Sequence, residues 1–187
     1  VLVPPLFWLY RHDRRKSPSV KTPSKSNPFA GGAFKRVLIT GGTGFIGRFL
    51  IDNLLKRKGN IHVLVRKDSL KKFEALAKQR GWDRKRVLPV TGEMTEARCG
   101  LSAAQLRALS GKVRHFFHLA AIYDMAASAE SMRAANVEGT RNALELAAAL
   151  DAGCFHHVSS IAAAGLYPGV FREDMFEEAE GLDDPYL

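Results

Sequence analysis

Cysteine is scarce in this sequence, which has only Cys99 and Cys154 among 187 residues. Two cysteines give neither a disulfide framework nor a metal-ligand spacing, which excludes a disulfide-stapled scaffold. Their scarcity fits a reducing, cytoplasmic compartment. Long apolar runs are also lacking, because none approaches the roughly 20 residues that a membrane-spanning helix needs. With 46% hydrophobic residues, the chain is expected to form a globular domain without a membrane span.

Positive charge is unevenly distributed along the chain. The net charge is +9, but residues 1–36 hold eight of the 28 Lys and Arg residues and only one of the 19 acidic residues. The remainder is nearly balanced, so we expect no nucleic-acid partner. Residues 1–35 are also rich in Ser and Pro, which predicts a disordered basic extension. A membrane-surface or nucleic-acid arm is the alternative for this segment.

From residue 36 onward, short β-branched or aromatic runs alternate with helical patterns. The runs predict five strands, at 36–40, 61–65, 86–90, 113–121 and 154–160. Apolar residues at helical spacing predict helices at 44–57, 69–80, 101–109 and about 127–150, with Ser102 as an N-cap. This alternation predicts an α/β fold, a Rossmann-type doubly wound parallel sheet with helices on both faces. The predicted domain covers 36–187.

A glycine-rich turn, "VLITGGTGFIG", lies between the first strand and the first helix. Gly41 permits the tight turn, Gly44 lets the backbone approach a pyrophosphate, and Gly47 allows close helix packing. The helix N-terminus adds N–H groups and a partial positive charge that attract phosphate. Because the glycines stand between a strand and a helix, they predict a dinucleotide site. Its predicted turn residues are Gly41, Thr43, Gly44, Phe45, Ile46 and Gly47.

The end of the second strand bears on the choice of dinucleotide. An NAD site usually places Asp or Glu there, but this strand is followed by Arg66 and Lys67. Arg66 can pair with a 2′-phosphate as a planar fork, and Lys67 can add a second charge. NADP is therefore favoured as the cofactor. Asp68 keeps NAD as the alternative, and solvated loop charges are a further interpretation.

The loop after the third strand contains Glu93 and Met94 in "TGEM". At the carboxyl end of that strand, Met94 is expected to pack on the adenine and Glu93 to contact its amino group. An ordinary loop carboxylate and a core methionine form an equal alternative.

Four histidines fall on predicted strands, where they alternate between the faces of the sheet: His115, His118, His156 and His157. We find no cysteine or carboxylate cluster beside them in the sequence. They are therefore predicted to be core or cofactor-wall histidines, the two cysteines to be small packing residues, and no metal site is expected.

Five motifs occur in an order and context that resemble the extended short-chain dehydrogenase/reductases. They are "TGGTGFIG" (40–47), "HLAA" (118–121), "NVEGT" (136–140), "VSSIAAAG" (158–165) and the terminal "PYL" (185–187). The resemblance covers residues 36–187. Within that superfamily, "HLAAIYDM", "NVEGTRNALELA" and "FHHVSSIAAAGLYPGVFREDMFEEAE" resemble the branch of thioester reductase domains and fatty acyl-CoA reductases, the male sterility NAD-binding type.

The resemblance implies a catalytic Ser or Thr, a Tyr, and a Lys four residues after the Tyr. Ser160 matches the serine, five residues before Gly165, with Ser159 as the adjacent alternative. Tyr186 matches the tyrosine, and the lysine would fall beyond Leu187. The chain is therefore expected to be an N-terminal fragment that ends inside its catalytic motif and is poorly active by itself.

The resemblance also implies further contacts to the cofactor. "HLAA" is expected to line the cofactor, with Ala120 and Ala121 small enough to leave room for the ribose and nicotinamide. Asn136 is expected to brace the central strand or a bound water. Tyr123 is expected to flank the nicotinamide pocket.

The activity implied by the resemblance is NADP-dependent reduction of an acyl thioester, bound to coenzyme A or a carrier, to an aldehyde or alcohol. The small-molecule substrate is not defined by these residues. A nucleotide-sugar epimerase or dehydratase and a hydroxysteroid-type dehydrogenase stay open as alternatives. A non-catalytic NADP-binding sensor or scaffold is the alternative from a different class.

Overall fold

The protein is described here from a computed structural model that covers residues 36–122, 128–160, 164, 167–172 and 174–175. The strands are β1 (Arg36–Thr40), β2 (Asn60–Val65), β3 (Val87–Thr91), β4 (His115–His118) and β5 (Cys154–His157). The α-helices are α1 (Phe45–Leu55), α2 (Leu70–Arg80), α3 (Ala103–Leu109), α4 (Ala129–Arg133) and α5 (Gly139–Ala149). Short 3-10 turns occupy Lys67–Ser69 and Ala97–Gly100, and a π-turn at Ala134–Glu138 joins α4 to α5.

All five strands are parallel and form one sheet in the order β3-β2-β1-β4-β5. The chain runs outward from β1 to β3 and then returns to the other side of β1 with β4. This reversal creates a switch point between β1 and β4, where ligands bind at the carboxyl ends of the strands in open α/β sheets. The predicted doubly wound parallel sheet is confirmed.

Two apolar cores form because alternate residues of each strand point to opposite faces of the sheet. One core lies under α1 and α2, and its fully buried members include Ile39, Ile51, Val63 and Phe73. The other lies under α3 and α5, and its fully buried members include Leu38, Phe116, Leu146 and Leu150. The two faces are thus covered by different helices, as the alternating pattern predicts.

The predicted elements are all present, but two strands are shorter than predicted. Pairing of β4 ends at His118 rather than at residue 121, and pairing of β5 ends at His157 rather than at residue 160. The long helix predicted at 127–150 is interrupted by the π-turn. Ser102 caps α3 as predicted, in a capping box with Gln105.

Among the residues that the structure describes, no helix has the length and apolar character needed to cross a membrane. The predicted extension at 1–35 lies outside the described residues.

Candidate cofactor and active site

Five segments meet at the carboxyl edge of the sheet, one after each strand. They are the turn 41–44 after β1, Arg66 after β2, Glu93 after β3, Ala120 after β4 and Ser160 after β5. Parallel strands place the segments that follow them at a common edge. The structure therefore gathers the predicted site residues on the side of the molecule where a dinucleotide is expected.

The glycine turn is in close contact with the segment that follows β4. Gly41 has a φ of +68°, and a Cβ at this position would lie 2.7 Å from the backbone nitrogen of Ala120. Any larger residue would therefore push the "HLAA" segment away from the turn. Gly41 has the turn-forming role predicted for it.

Gly47 lets α1 begin directly against the turn. A Cβ on Gly47 would lie 2.3 Å from the carbonyl oxygen of Gly41, well inside a van der Waals contact. Gly44 occupies the N-cap of α1 and brings no side chain to the first N–H groups, and the first turn carries no acidic residue. The N-terminus of α1 can therefore bind a phosphate, and the bare backbone around it fits a dinucleotide pyrophosphate.

The other turn residues are distributed around this N-terminus. Thr43 and Ile46 are half-buried, whereas Phe45 is 70% exposed. The Phe45 ring packs edge-on against Phe49, and the Arg48 guanidinium lies over it at 5.6 Å. Phe45 thus presents a large apolar surface beside the phosphate-binding turn.

A buried hydrogen-bond network joins β1, β4 and α5 behind the turn. The Thr140 hydroxyl donates to the Asn136 carbonyl at 2.6 Å, so it accepts from His118 Nε2 at 3.0 Å. His118 Nδ1 is then an acceptor in the neutral ring, and it receives the Thr40 hydroxyl hydrogen at 2.8 Å. Thr40 Oγ1 in turn accepts from the backbone N–H groups of Leu119 and Ala120, each at 3.2 Å.

This network assigns the Nε2–H tautomer to His118 and satisfies both ring nitrogens. Burial lowers the pKa of His118 to about 4, and the nearby His157 lowers it further. A second proton on Nδ1 would face the hydrogen that Thr40 donates, which agrees with this direction. His118 is fully buried, and its ring is stacked with those of His157 and Phe155. It is therefore a neutral core histidine at pH 7, as one of the two predicted roles requires.

Asn136 braces the segment after β4. Its Oδ1 accepts from the Ile122 backbone N–H at 2.8 Å, and its Nδ2 donates to the Ile122 carbonyl at 3.0 Å. This pair of bonds replaces the backbone pairing that the segment lacks beyond His118. The bracing role predicted for Asn136 is thus observed, on the extension of β4 rather than on a strand.

Arg66 and Lys67 lie exposed immediately after β2. Arg66 Nε is 3.8 Å from Asp68 Oδ1, and both side chains are mostly exposed. Asp68 also accepts a hydrogen bond from the Ser69 hydroxyl at 3.0 Å. Asp68 is therefore occupied by neighbours on its own turn, whereas the guanidinium and the Lys67 ammonium are exposed at the site edge.

Met94 has a packing role of its own. Its side chain packs against the α3 and α5 core, and Cys99 Sγ lies 3.8 Å from its sulfur. Its carbonyl accepts a hydrogen bond from Asn142 Nδ2 at 2.8 Å. These contacts favour the core-methionine alternative. Glu93 is half-buried and accepts from the Thr95 backbone N–H at 3.4 Å.

The residues predicted for the chemistry are partly described. Ser160 is exposed three residues beyond β5, next to Ser159. Ala120 is half-buried and Ala121 is exposed on the extension of β4. Tyr123 and Tyr186 lie outside the described residues, so their roles stay predictions.

Sequence reasoning missed Thr40 and Thr140 as site residues. Both are within motifs noted above, "TGGTGFIG" and "NVEGT", but a hydroxyl that bonds a histidine 78 positions away has no local sequence signal. A polar residue at the end of the otherwise apolar β1 was the available hint, because a buried hydroxyl needs a partner.

One prediction about the histidines needs correction. His115 and His156 were expected to have no cysteine cluster beside them, but parallel pairing of β4 with β5 places Cys154 directly opposite His115. His115, Cys154 and His156 offer ligand atoms that all lie within 4.8 Å of one another. The separation of 39 positions along the chain hid this proximity. The packing role predicted for Cys99 is confirmed, since Cys99 is fully buried.

The parallel sheet, the glycine turn and the free helix N-terminus define a dinucleotide-binding domain of the Rossmann type. Residues 39–185 match the male sterility protein family, which is of the NAD-binding type. Because this match covers most of the chain, the chain belongs to that family. It is therefore a member of a family of NAD(P)-binding reductases related to thioester reductase R domains and fatty acyl-CoA reductases.

Individual relatives agree with this assignment. The linear gramicidin synthase of Brevibacillus parabrevis includes a chain that is 34% identical over 169 residues, which are 82% of this chain and 3% of that one. The putative fatty acyl-CoA reductase CG8303 of Drosophila melanogaster is 32% identical, over 62% of this chain and 24% of that protein. The solved terminal R domain of the myxalamid PKS-NRPS pathway is 33% identical with a TM-score of 0.65, over 74% of this chain and 38% of that one. The chain thus spans well under half of each.

Proposed function

We propose that the protein reduces an acyl thioester with NADPH, releasing the thiol and forming an aldehyde. The observation that carries this proposal is the shared edge of the sheet, where a phosphate-binding turn, an exposed arginine and Ser160 follow neighbouring strands. The family relationship supports the reaction class, since the relatives named above include a fatty acyl-CoA reductase and an R domain. Further reduction of the aldehyde to an alcohol is the extension of the same chemistry.

The residues around α1 would bind the phosphates of the cofactor. The N–H groups of Phe45, Ile46 and Gly47 offer donors to the pyrophosphate, and the absence of a Cβ on Gly44 allows close approach. Arg66 and Lys67 would hold the 2′-phosphate, because a guanidinium pairs with a phosphate in a bidentate way. NADP is therefore the proposed cofactor, in preference to NAD.

The "HLAA" segment would form the wall along the ribose and nicotinamide. Its position is fixed by the Thr40 hydroxyl, which accepts from two successive backbone N–H groups. Small side chains at Ala120 and Ala121 keep this wall low. Asn136 holds the far end of the segment through its two bonds to Ile122.

The bound cofactor supplies a hydride to the thioester carbonyl carbon. Negative charge then develops on the carbonyl oxygen, and the Ser160 hydroxyl would donate a hydrogen bond to it. Tyr186 would donate a proton to the same oxygen, although its ordinary pKa of about 10 needs a positive neighbour to come closer to neutrality. Loss of the thiol from the hemithioacetal gives the aldehyde, so each turnover consumes one NADPH and one proton.

An assay of the purified protein tests this function. NADPH oxidation is followed with acyl-CoA, with a carrier-bound acyl thioester and with a nucleotide sugar, and the aldehyde is trapped. We expect turnover with a thioester and a large loss of kcat in S160A, while S159A, its neighbour, retains most of the rate.

The outcomes separate the alternatives. Turnover of the nucleotide sugar alone would favour an epimerase or dehydratase. NADPH binding without turnover of any of these substrates would favour a non-catalytic sensor. Loss of activity in S159A rather than S160A would contradict the role proposed for Ser160.

A further inference from the structure

Three side chains with metal-binding atoms converge on one face of β4 and β5. His115 and Cys154 are direct partners in the parallel register, and His156 follows Cys154 by two residues on the same face. Neighbouring strands lie roughly 4.8 Å apart, so side chains at such positions are neighbours. One ring nitrogen from each histidine and the cysteine sulfur lie within 4.8 Å of one another.

We propose that His115, Cys154 and His156 bind a zinc ion. The three donors suit zinc, which takes imidazole nitrogen at about 2.0 Å and thiolate sulfur at about 2.3 Å. Thiolate and imidazole together disfavour Mg²⁺ and Ca²⁺, which prefer oxygen ligands. Water would complete the tetrahedron.

The existing contacts already hold the two rings toward a common point. His115 Nδ1 and His156 Nε2 are 2.9 Å apart, and Cys154 Sγ lies 4.0 Å from His156 Nδ1. Two ligands of a tetrahedral zinc are separated by about 3.3 to 3.7 Å, as follows from the bond lengths above. Small side-chain rotations that separate the rings and draw in the sulfur would therefore accommodate the ion.

The surroundings restrict both the orientation of the ligands and access to them. The His156 ring is stacked on Phe117 with a centroid distance of 4.4 Å, and His115 also stacks on Phe117. Both histidines are buried, whereas Cys154 is half-buried and gives the ion a route of entry. An aromatic wall of this kind fixes ring orientation and excludes competing water.

Proton balance follows from the hydrogen bond between the rings. On binding, the hydrogen between His115 and His156 moves to the other nitrogen of its own ring, so both imidazoles stay neutral. The Cys154 thiol releases its proton, so each zinc ion bound releases one proton. Uptake should therefore weaken as the pH falls.

The position of the cluster indicates a structural ion. His115 pairs with Val37 near the amino end of β1, whereas the cofactor turn follows Thr40 at the carboxyl end. Three residues of strand separate His115 from His118, roughly 10 Å. The ion would join β4 to β5 away from the proposed cofactor site, so the inference does not depend on the proposed function.

Cobalt titration of the full chain tests the proposal, in a C99A background that leaves Cys154 as its one thiol. We expect one Co²⁺ per chain, a thiolate-to-cobalt charge-transfer band, strong visible absorption typical of four-coordination, and displacement by Zn²⁺. H156N should weaken Co²⁺ binding by about 100-fold or more, since even outer-shell changes cost 10- to 100-fold. H62N, which removes a buried histidine of β2, should leave it unchanged.

X-ray absorption of the zinc-loaded wild-type protein reads the donor set without any variant. One sulfur and two imidazole nitrogens support the site, whereas a shell of nitrogen and oxygen only overturns it. Absence of the charge-transfer band at equimolar Co²⁺, or an equally strong band in H156N, also overturns it. Either readout is independent of reductase activity.

Discussion

The hydroxyl of Thr40, the last residue of β1, donates a hydrogen bond of 2.8 Å to Nδ1 of His118, the last residue of β4. The same hydroxyl oxygen accepts from the backbone N–H groups of Leu119 and Ala120. One side chain therefore ends the pairing of β4 and turns the following segment across Gly41. The proposed nicotinamide wall depends on this single hydroxyl.

Replacing Thr40 by valine should destabilise the fold. Valine keeps the shape but leaves His118 Nδ1 and the Ala120 N–H without their partner, and an unsatisfied buried group costs about 1–3 kcal/mol. Urea unfolding at pH 7 measures this loss. Thr40→Ser keeps the hydroxyl and should retain most of the stability, so an equal loss in both variants would contradict the account.

Stability should decrease as the pH falls from about 6.5 to about 4. Burial lowers the pKa values of His62 and His118 to about 4, whereas both side chains titrate near 6.5 in the unfolded chain. Between these values the unfolded chain binds protons that the folded chain does not, so stability is fully present above 6.5. Each histidine can contribute up to about 3 kcal/mol by this route.

Urea unfolding at pH 7 and pH 5 checks this dependence, above the range where most carboxylates titrate. H118N should be less stable at pH 7, because the bond to Thr140 is lost, and its stability should change less between the two pH values. A wild-type stability that stays constant from pH 7 to pH 5 would refute the neutral, buried His118.

Gly47→Ala should disrupt the phosphate-binding turn. The new Cβ would lie 2.3 Å from the Gly41 carbonyl oxygen, and both atoms belong to backbone or are fixed to it, so the turn must shift. Insertion of a group into a packed site costs about 1–3 kcal/mol, so we expect NADPH affinity to fall about tenfold or more.

Gly139→Ala is the matched control for that variant. Gly139 begins α5, and its nearest neighbour would be the flexible end of Met94 at 3.4 Å. Alanine also favours a helix over glycine by about 1 kcal/mol. Calorimetric titration should therefore show near-normal NADPH binding in G139A, and an equal loss in both variants would argue against a specific role for Gly47.

The sequence predicts the sheet, its helices and the glycine turn because each depends on local patterns. Apolar alternation defines the strands, and glycines between β1 and α1 identify the phosphate-binding turn. The true end of β4 at His118 was not predictable in this way, because it is set by a side chain from β1. The π-turn before α5 likewise interrupts a run of residues that all favour a helix.

Contacts between neighbouring strands set the remaining limits. The proximity of Cys154 to His115 depends on the order β1-β4-β5 and on a register that local sequence does not encode. Met94 was equally compatible with a ring-packing role and a core role until its contact with the α5 side of the core was known. Prediction therefore succeeds for elements and turns, and it fails where two distant segments meet.

The choice of cofactor rests on Arg66, so its replacement by glutamate should remove the preference for NADPH. A hydrogen bond to a charged group contributes about 1.5–3 kcal/mol, so NADPH affinity should fall about tenfold or more, while NADH affinity changes little. K78E makes the same kind of charge change in the last turn of α2. It should leave both affinities near their wild-type values.

Calorimetric titration of the wild-type protein with NADPH and with NADH tests the central claim most directly. The account predicts that NADPH binds at least about tenfold more tightly, and that R66E, unlike K78E, abolishes the difference. Equal binding of the two dinucleotides by the wild-type protein, or an unchanged preference in R66E, would contradict the proposed 2′-phosphate site. Failure to bind either dinucleotide would contradict the cofactor site itself.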